Sequence, residues 1–183
     1  MRNLTEKTKK SEPIYKGKII TLQLDEVELP NGNTSYREIV RHPGAVAVIA
    51  ITDENKILMV RQFRKALEKT IYEIPAGKRD QGEEPELTAK RELEEETGYV
   101  ANKWTHLVSF YTSPGFADEY LHLYIAEELA MGGNLQLDED EFVELFAFTL
   151  EECKELIQKG DICDAKTVAA IYHWELQQIR ASK

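Results

Sequence analysis

Four glutamates crowd into residues 91–98, RELEEETG: Glu92, Glu94, Glu95 and Glu96. The segment reads as the last turns of a helix that stops at Gly98, a residue suited to the left-handed position after a helix C-terminus. Carboxylates there face the negative end of the helix dipole, and those at i,i+4 repel one another, each effect costing roughly a few tenths of a kcal/mol. At about 100° per residue, Glu92, Glu95 and Glu96 share an arc of roughly 100°, while Glu94 points away. Such a face has two chemical readings. It is a solvated acidic surface, or it is a seat for a hard divalent cation that prefers carboxylate oxygen and whose charge reverses the repulsion. The spacing alone leaves both open.

The longer pattern separates them. From 77 to 99 the chain reads G-x5-E-x7-R-E-L-x-E-E-x-G-Y, with Gly77, Glu83, Arg91, Glu92, Leu93, Glu95, Glu96 and Gly98 at its set positions. This resembles the Nudix box, and the one departure is Tyr99, large and mostly apolar, in the final aliphatic slot. The resemblance implies an α/β fold, a Nudix α/β/α sandwich with a mixed β-sheet, here with a small N-terminal antiparallel β region. It implies hydrolysis of a nucleoside diphosphate linked to another moiety, with Mg2+, or Mn2+ or a similar divalent cation, as cofactor. Carried over residue by residue, the metal ligands are Glu92, Glu96 and the backbone carbonyl of Ala76. Glu95 becomes a metal-site or water-orienting catalytic residue. Arg91 holds the glutamates by charge-assisted hydrogen bonds. Glu83 fixes the loop, and Gly77 and Gly98 are backbone positions.

The box does not name the substrate, so residues outside it have to. Ser113, Pro114 and Gly115, within YTSPGF, lie downstream of the box where the ADP-ribose pyrophosphatase subgroup carries a similar proline, and ADE at 117–119 and REIVRHPGAVAV at 37–48 resemble that subgroup too. An S-P-G turn needs no function, since Pro and Gly suit turns anywhere. At this spacing it is expected to be a substrate loop, with Glu119 reaching the terminal ribose. A diphosphate also needs cations, and the planar donor fork of arginine suits it. Arg64 is the first candidate by its resemblance to the subgroup's phosphate-contacting arginine, followed by Arg37 and Lys78. Tyr15, Tyr36 and Phe116 are candidates for stacking on adenine. The general base is expected in the acidic tract at 138–141, with Glu139 as base and Glu141 as a further metal contact; the alternative there is a solvated acidic loop. The expected substrate is ADP-ribose, giving AMP and ribose 5-phosphate. An ADP-sugar, GDP-mannose or a dinucleoside polyphosphate is the alternative.

These residues need a scaffold. Alternation of Ile20, Leu22 and Leu24, the turn PNGN at 30–33 and the run SYREIVRH predict a hairpin region over 14–42. AVAVIAI reads as a strand buried on both faces, ILMVRQFR as its successor, and IYEIP as a short strand ending at AG, before a loop. Pro85 opens the box helix. Strands follow at LVSFYT, YLHLYIAEEL and FVELFAF; a T-x-x-E capping box at Thr149 and Glu152 opens a second helix, and a third covers about 164–180. Residues 1–42 are expected to serve dimerisation and substrate, as part of a homodimer, and residues 43–183 to form the hydrolase domain.

Composition agrees with that class of function. A formal net charge of −10 argues against non-specific binding to a nucleic acid polymer. The first residues lack the apolar centre of a signal peptide, and the longest apolar run is too short to span a bilayer. Cys153 and Cys163 fit no metal-ligand spacing. The expectation is a cytoplasmic protein without a membrane partner.

Overall fold

The computed structural model describes residues 3–132 and 142–181. Strands β1 (Lys7–Lys16), β2 (Thr21–Glu28) and β3 (Thr34–Arg41) come first, then β4 (Ala45–Ala50), β5 (Ile57–Arg64), β6 (Lys69–Glu73) and β7 (Ala76–Lys78). Helix α1 (Pro85–Thr97) is followed by β8 (Tyr99–Tyr111), β9 (Tyr120–Met131), β10 (Glu144–Phe148), α2 (Leu150–Lys159) and α3 (Ala165–Ala181). The chain divides into two compact units, one of residues 1–44 with 110–120 and the other of 45–109 with 121–183.

The first unit is built on the antiparallel sheet β1-β2-β3. Gly32, at φ 85°, makes the tight turn between β2 and β3. The expected hairpin over 14–42 is therefore incomplete, because the sheet begins at Lys7. The missed strand, KTKKSEPIYK, is exposed along its whole length, so no alternation of apolar and polar residues marks it. Its register shifts twice against β2, and Pro13 is tolerated because β1 is an edge strand. Segment 110–120 is tied to β3 through a parallel bridge between Val40 and Ala117.

The second unit holds the sheets β10-β5-β6 and β7-β4-β9-β8, the latter mixed, with β4 antiparallel to β7 and parallel to β9. Every residue of β4 is buried, as expected for a strand covered on both faces. Val46, Val48 and Ala50 share one face by the two-residue pleat and pack with Ala89 and Leu93 of α1. That packing sets the rotation of α1 and so the direction of its glutamates. The helix has Pro85 at its start and no side-chain N-cap; Gly98 ends it at φ 71°, its N–H donating to the Glu94 carbonyl. The short strand read at IYEIP stops at Glu73, and the residue expected to start the loop, Lys78, instead pairs with β4 as the end of β7, after Ala76 and Gly77. Thr149 and Glu152 form the expected reciprocal capping box. Cys153 is buried, which pushes its thiol up to about 12, and Cys163 is free and exposed. No helix among the described residues is long and apolar enough to cross a membrane.

Candidate active site

The box loop and α1 converge on Arg91. Its Nη1 donates to Glu92 Oε1 and Glu95 Oε2, both at 2.8 Å. Its Nε and Nη2 reach the two carboxylate oxygens of Glu83 at 3.3 and 3.2 Å, and Nη2 also lies 3.3 Å from the Lys78 carbonyl. Burial works against the arginine's charge, but the Glu83 hydrogen bond, the Glu92 charge and the Glu95 hydrogen bond outweigh it and raise the guanidinium above its usual range. The same Arg91 contact is the main force holding the Glu83 carboxyl below its ordinary 4.5, with help from Thr88. Thr88, fully buried, donates its Oγ1 to Glu83 Oε2 at 2.9 Å. Arg79 donates Nη2 to the Glu83 carbonyl at 2.7 Å. Glu83 thus locks the loop to the helix, and neither Thr88 nor Arg79 stands at a set position of the box pattern.

The carboxylates meet the backbone of β7. The Ala76 N–H donates to Glu96 Oε2 at 3.0 Å, and Glu96 is only 6% exposed. A Cβ placed on Gly77 would fall 1.9 Å from Cδ of Glu92. Gly77 is therefore a glycine because the Glu92 carboxylate occupies the space a side chain would take. Glu92, Glu95, Glu96 and the backbone at 76–77 bring together hard oxygen donors, the donor type that Mg2+ and similar ions select. Among the described residues no three His, Cys, Asp or Glu side chains are arranged to hold a metal by themselves. An ion that takes one or two protein carboxylates and leaves its other positions to water and phosphate does not require three such side chains. The residues present fit such a cation.

The arginine expected first at phosphate, Arg64, donates Nε to Glu73 Oε2 at 2.6 Å, and among the described residues its Nη groups have no hydrogen-bond partner. Glu73 was not singled out by its sequence context, although it is 2% exposed. Arg37 is held within the first unit: Nε and Nη2 donate to Glu6 at 2.9 and 2.6 Å, and Nη1 to Ser35 and to the Tyr36 carbonyl. The Glu6 hydrogen bond is the main cause of its raised pKa. Lys78 ends β7, exposed.

The S-P-G turn also lies in the first unit. The Phe116 and Ala117 N–H groups donate to the Ser113 carbonyl, and Gly115 opens onto free space. Glu119 Oε2 accepts from Thr112 Oγ1 at 2.6 Å, and its Oε1 lies 3.7 Å from His42 Nδ1. The same ring nitrogen accepts the Gly44 N–H at 3.1 Å. Asp118 anchors the turn to β3, accepting the His42 N–H at 2.8 Å and Arg41 Nη1 at 2.9 Å. Tyr15, Tyr36 and Phe116 are all exposed. The expected base and its partner, Glu139 and Glu141, lie outside the described residues.

Two family models match the chain. The NUDIX domain model matches residues 41–171, and the model of the nucleoside diphosphate sugar hydrolase N-terminal domain matches residues 6–40. The chain belongs to the Nudix family, whose members in general use a divalent metal cofactor. It is 58% identical to the ADP-ribose pyrophosphatase of Bacillus subtilis over 97% of each chain. It is 60% identical to the methanol dehydrogenase activator of Bacillus methanolicus over 94% of each. A solved structure described as an ADP compounds hydrolase shares the fold at a TM-score of 0.86, covering 100% of this chain and 98% of that one at 22% identity.

Proposed function

We propose that this protein hydrolyses the diphosphate of ADP-ribose to AMP and ribose 5-phosphate, with Mg2+ or Mn2+ as cofactor. The observation that carries the reading is the likeness to a bacterial ADP-ribose pyrophosphatase along 97% of both chains, in a protein that keeps every carboxylate of the box. Glu92, Glu96 and the Ala76 carbonyl hold the cation. When bound, it neutralises charge that builds on the diphosphate oxygens. Arg91 holds Glu92 and Glu95 in place, and Glu83 holds Arg91. Glu95 orients the attacking water. A carboxylate of the tract at 138–141, Glu139 by preference with Glu141 beside it, takes the water's proton. The water oxygen bonds to one phosphorus as the bridging P–O bond breaks, and the two monophosphates leave.

Arg64 binds the diphosphate through its Nη donors, with Lys78 as an accessory cation and Arg37 contributing once Glu6 yields. The turn Ser113-Pro114-Gly115 and Glu119 contact the terminal ribose. Residues 1–42 join two copies into a homodimer and complete the substrate site; Gly77 and Gly98 serve as backbone positions. The setting is cytoplasmic. The test is a substrate panel with Mg2+ and product identification, comparing ADP-ribose with ADP-sugars, GDP-mannose and dinucleoside polyphosphates. The highest kcat/KM is expected for ADP-ribose, and a clear preference for another nucleotide overturns the substrate assignment. Light scattering at micromolar concentration is expected to give a dimer, and a monomer there removes the shared-site reading.

The 60% identity to a methanol dehydrogenase activator favours a second reading, in which the protein also raises the turnover of an alcohol dehydrogenase. Its test is the rate of a purified methanol dehydrogenase with and without this protein. No change in that rate eliminates it.

A further inference from the structure

Glu73 is a carboxylate 2% exposed at the last position of β6, and it holds two cations. Arg64 Nε donates to Oε2 and Lys166 Nζ to Oε1, both at 2.6 Å. Lys166 in turn reaches Asp164 Oδ1 at 2.8 Å, and Asp164 caps the start of α3 by accepting the Thr167 N–H. Thr167 Oγ1 accepts the Ile74 N–H at 3.1 Å, which fastens α3 to the end of β6 without any help from Arg64.

The path of Arg64 is the informative part. In the β5–β6 register Arg64 stands opposite Lys69, whereas Glu73 stands opposite Val60. The two-residue pleat puts Arg64, Val60 and Glu73 on one face, but the register sets Arg64 four residues beyond the position opposite Glu73. The arginine must therefore run back along the sheet, not out from its edge. A pair with one buried carboxylate and one half-exposed arginine contributes little net stability compared with apolar packing. What it does supply is direction. With Nε committed to Glu73, the two Nη groups, which have no hydrogen-bond partner among the described residues, remain as a fork of the kind that receives phosphate oxygens in pairs.

We infer that Glu73 is the positioning residue for Arg64: it aims the arginine's Nη fork at the substrate diphosphate, and Lys166, by occupying the other carboxylate oxygen, keeps Glu73 from turning. The inference rests on the reading of Arg64 as a diphosphate contact. A residue that only glued α3 to β6 would, when changed, lower the melting temperature or the amount of active enzyme. A residue that aims Arg64 raises KM, and does so only while Arg64 is present.

The experiment is a double-mutant cycle between Glu73→Gln and Arg64→Ala, reading KM and kcat separately for ADP-ribose with Mg2+. Arg64→Ala is expected to raise KM about tenfold or more, as for loss of a charge-assisted contact. Glu73→Gln alone is expected to raise KM about fivefold with kcat within about twofold. Added to Arg64→Ala, it is expected to change KM no further. If Arg64→Ala leaves KM unchanged, the diphosphate reading of Arg64 fails and the inference falls with it. If Arg64→Ala raises KM but Glu73→Gln does not, or the two effects multiply, the positioning role is overturned while Arg64 keeps its contact. Should Glu73→Gln fail to fold, the same cycle is run with Lys166→Met, which frees one oxygen of Glu73 and leaves Asp164 and Thr167 in place, and the same outcomes decide.

Discussion

Helix α1 gathers three carboxylates around one guanidinium, whereas the end of β6 gathers two cations around one carboxylate. With Asp164 counted, the second cluster is balanced, two acids to two bases, with its carboxylates and Lys166 largely buried while Arg64 reaches solvent. The first is short of positive charge, even before Glu96 is added, and it is partly open to solvent. The imbalance is informative. A cluster that closes its own charge acts by holding something in place, here a helix end and an arginine. A cluster that does not fits the proposed role of accepting a cation from outside, with its local repulsion as the cost of keeping that place ready.

The contrast can be broken most severely at the open cluster. Glu92→Gln and Glu96→Gln are each expected to lower kcat on the order of a thousandfold, since several kcal/mol of transition-state charge stabilisation go with the cation. The metal-free melting temperature of Glu92→Gln should stay level or rise as repulsion eases, and Mg2+ should raise the melting temperature of the wild type but not of the variant. Wild-type turnover in both variants refutes the ligand assignment. Gly77→Ala comes next, at about a hundredfold in kcat, the size of effect seen when a residue that supports a ligand is changed. The new Cβ displaces only the mobile end of Glu92, so circular dichroism and melting should stay close to wild type. Normal kcat in that variant means the Glu92 position is irrelevant.

The balanced cluster should answer in stability instead. Lys166→Met strips one partner from a buried carboxylate, a change that costs about 3 kcal/mol or less where other partners remain, or roughly 5–10 °C in melting temperature for a chain of this size. A melting temperature equal to wild type removes the contrast between the two clusters. The smallest effect is a pH dependence at Glu83. Its carboxyl lies below its ordinary 4.5 in the folded state, chiefly through the Arg91 hydrogen bond. That contribution to stability is present above pH 4.5 and is lost as the pH falls through the lower, folded value. The melting temperature should therefore fall more steeply on acidification below pH 4.5 in the wild type than in Glu83→Gln. Parallel curves would show that Glu83 carries none of the acid sensitivity.

Much of the open cluster was legible in advance, and the balanced one was not. Glu92, Glu95 and Glu96 share a face because helical periodicity puts them there, and Pro85 and Gly98 mark the helix ends by local backbone chemistry. The capping box at Thr149 is legible for the same reason. Glu73 sits in an unremarkable YEIP, and its partner Lys166 lies 93 residues further on. No local pattern constrains a pair so far apart. Asp118 stands in the sequence only as part of a likeness, yet its side chain helps join the S-P-G turn to the end of β3, across 77 residues at Arg41. Strand β1 was missed because an exposed edge strand needs no apolar alternation.

The sequence by itself determined the chemistry of the box: which glutamates lie together, where their helix starts and stops, and which family they belong to, because these depend on offsets within one turn or two of helix. Only the tertiary structure decided that Gly77 makes room for Glu92, that Thr88 and Arg79 steady Glu83, and that a buried Glu73 turns Arg64 along the sheet. Those relations depend on strand register and on side chains brought together from distant parts of the chain, where packing, and not local spacing, sets the distance.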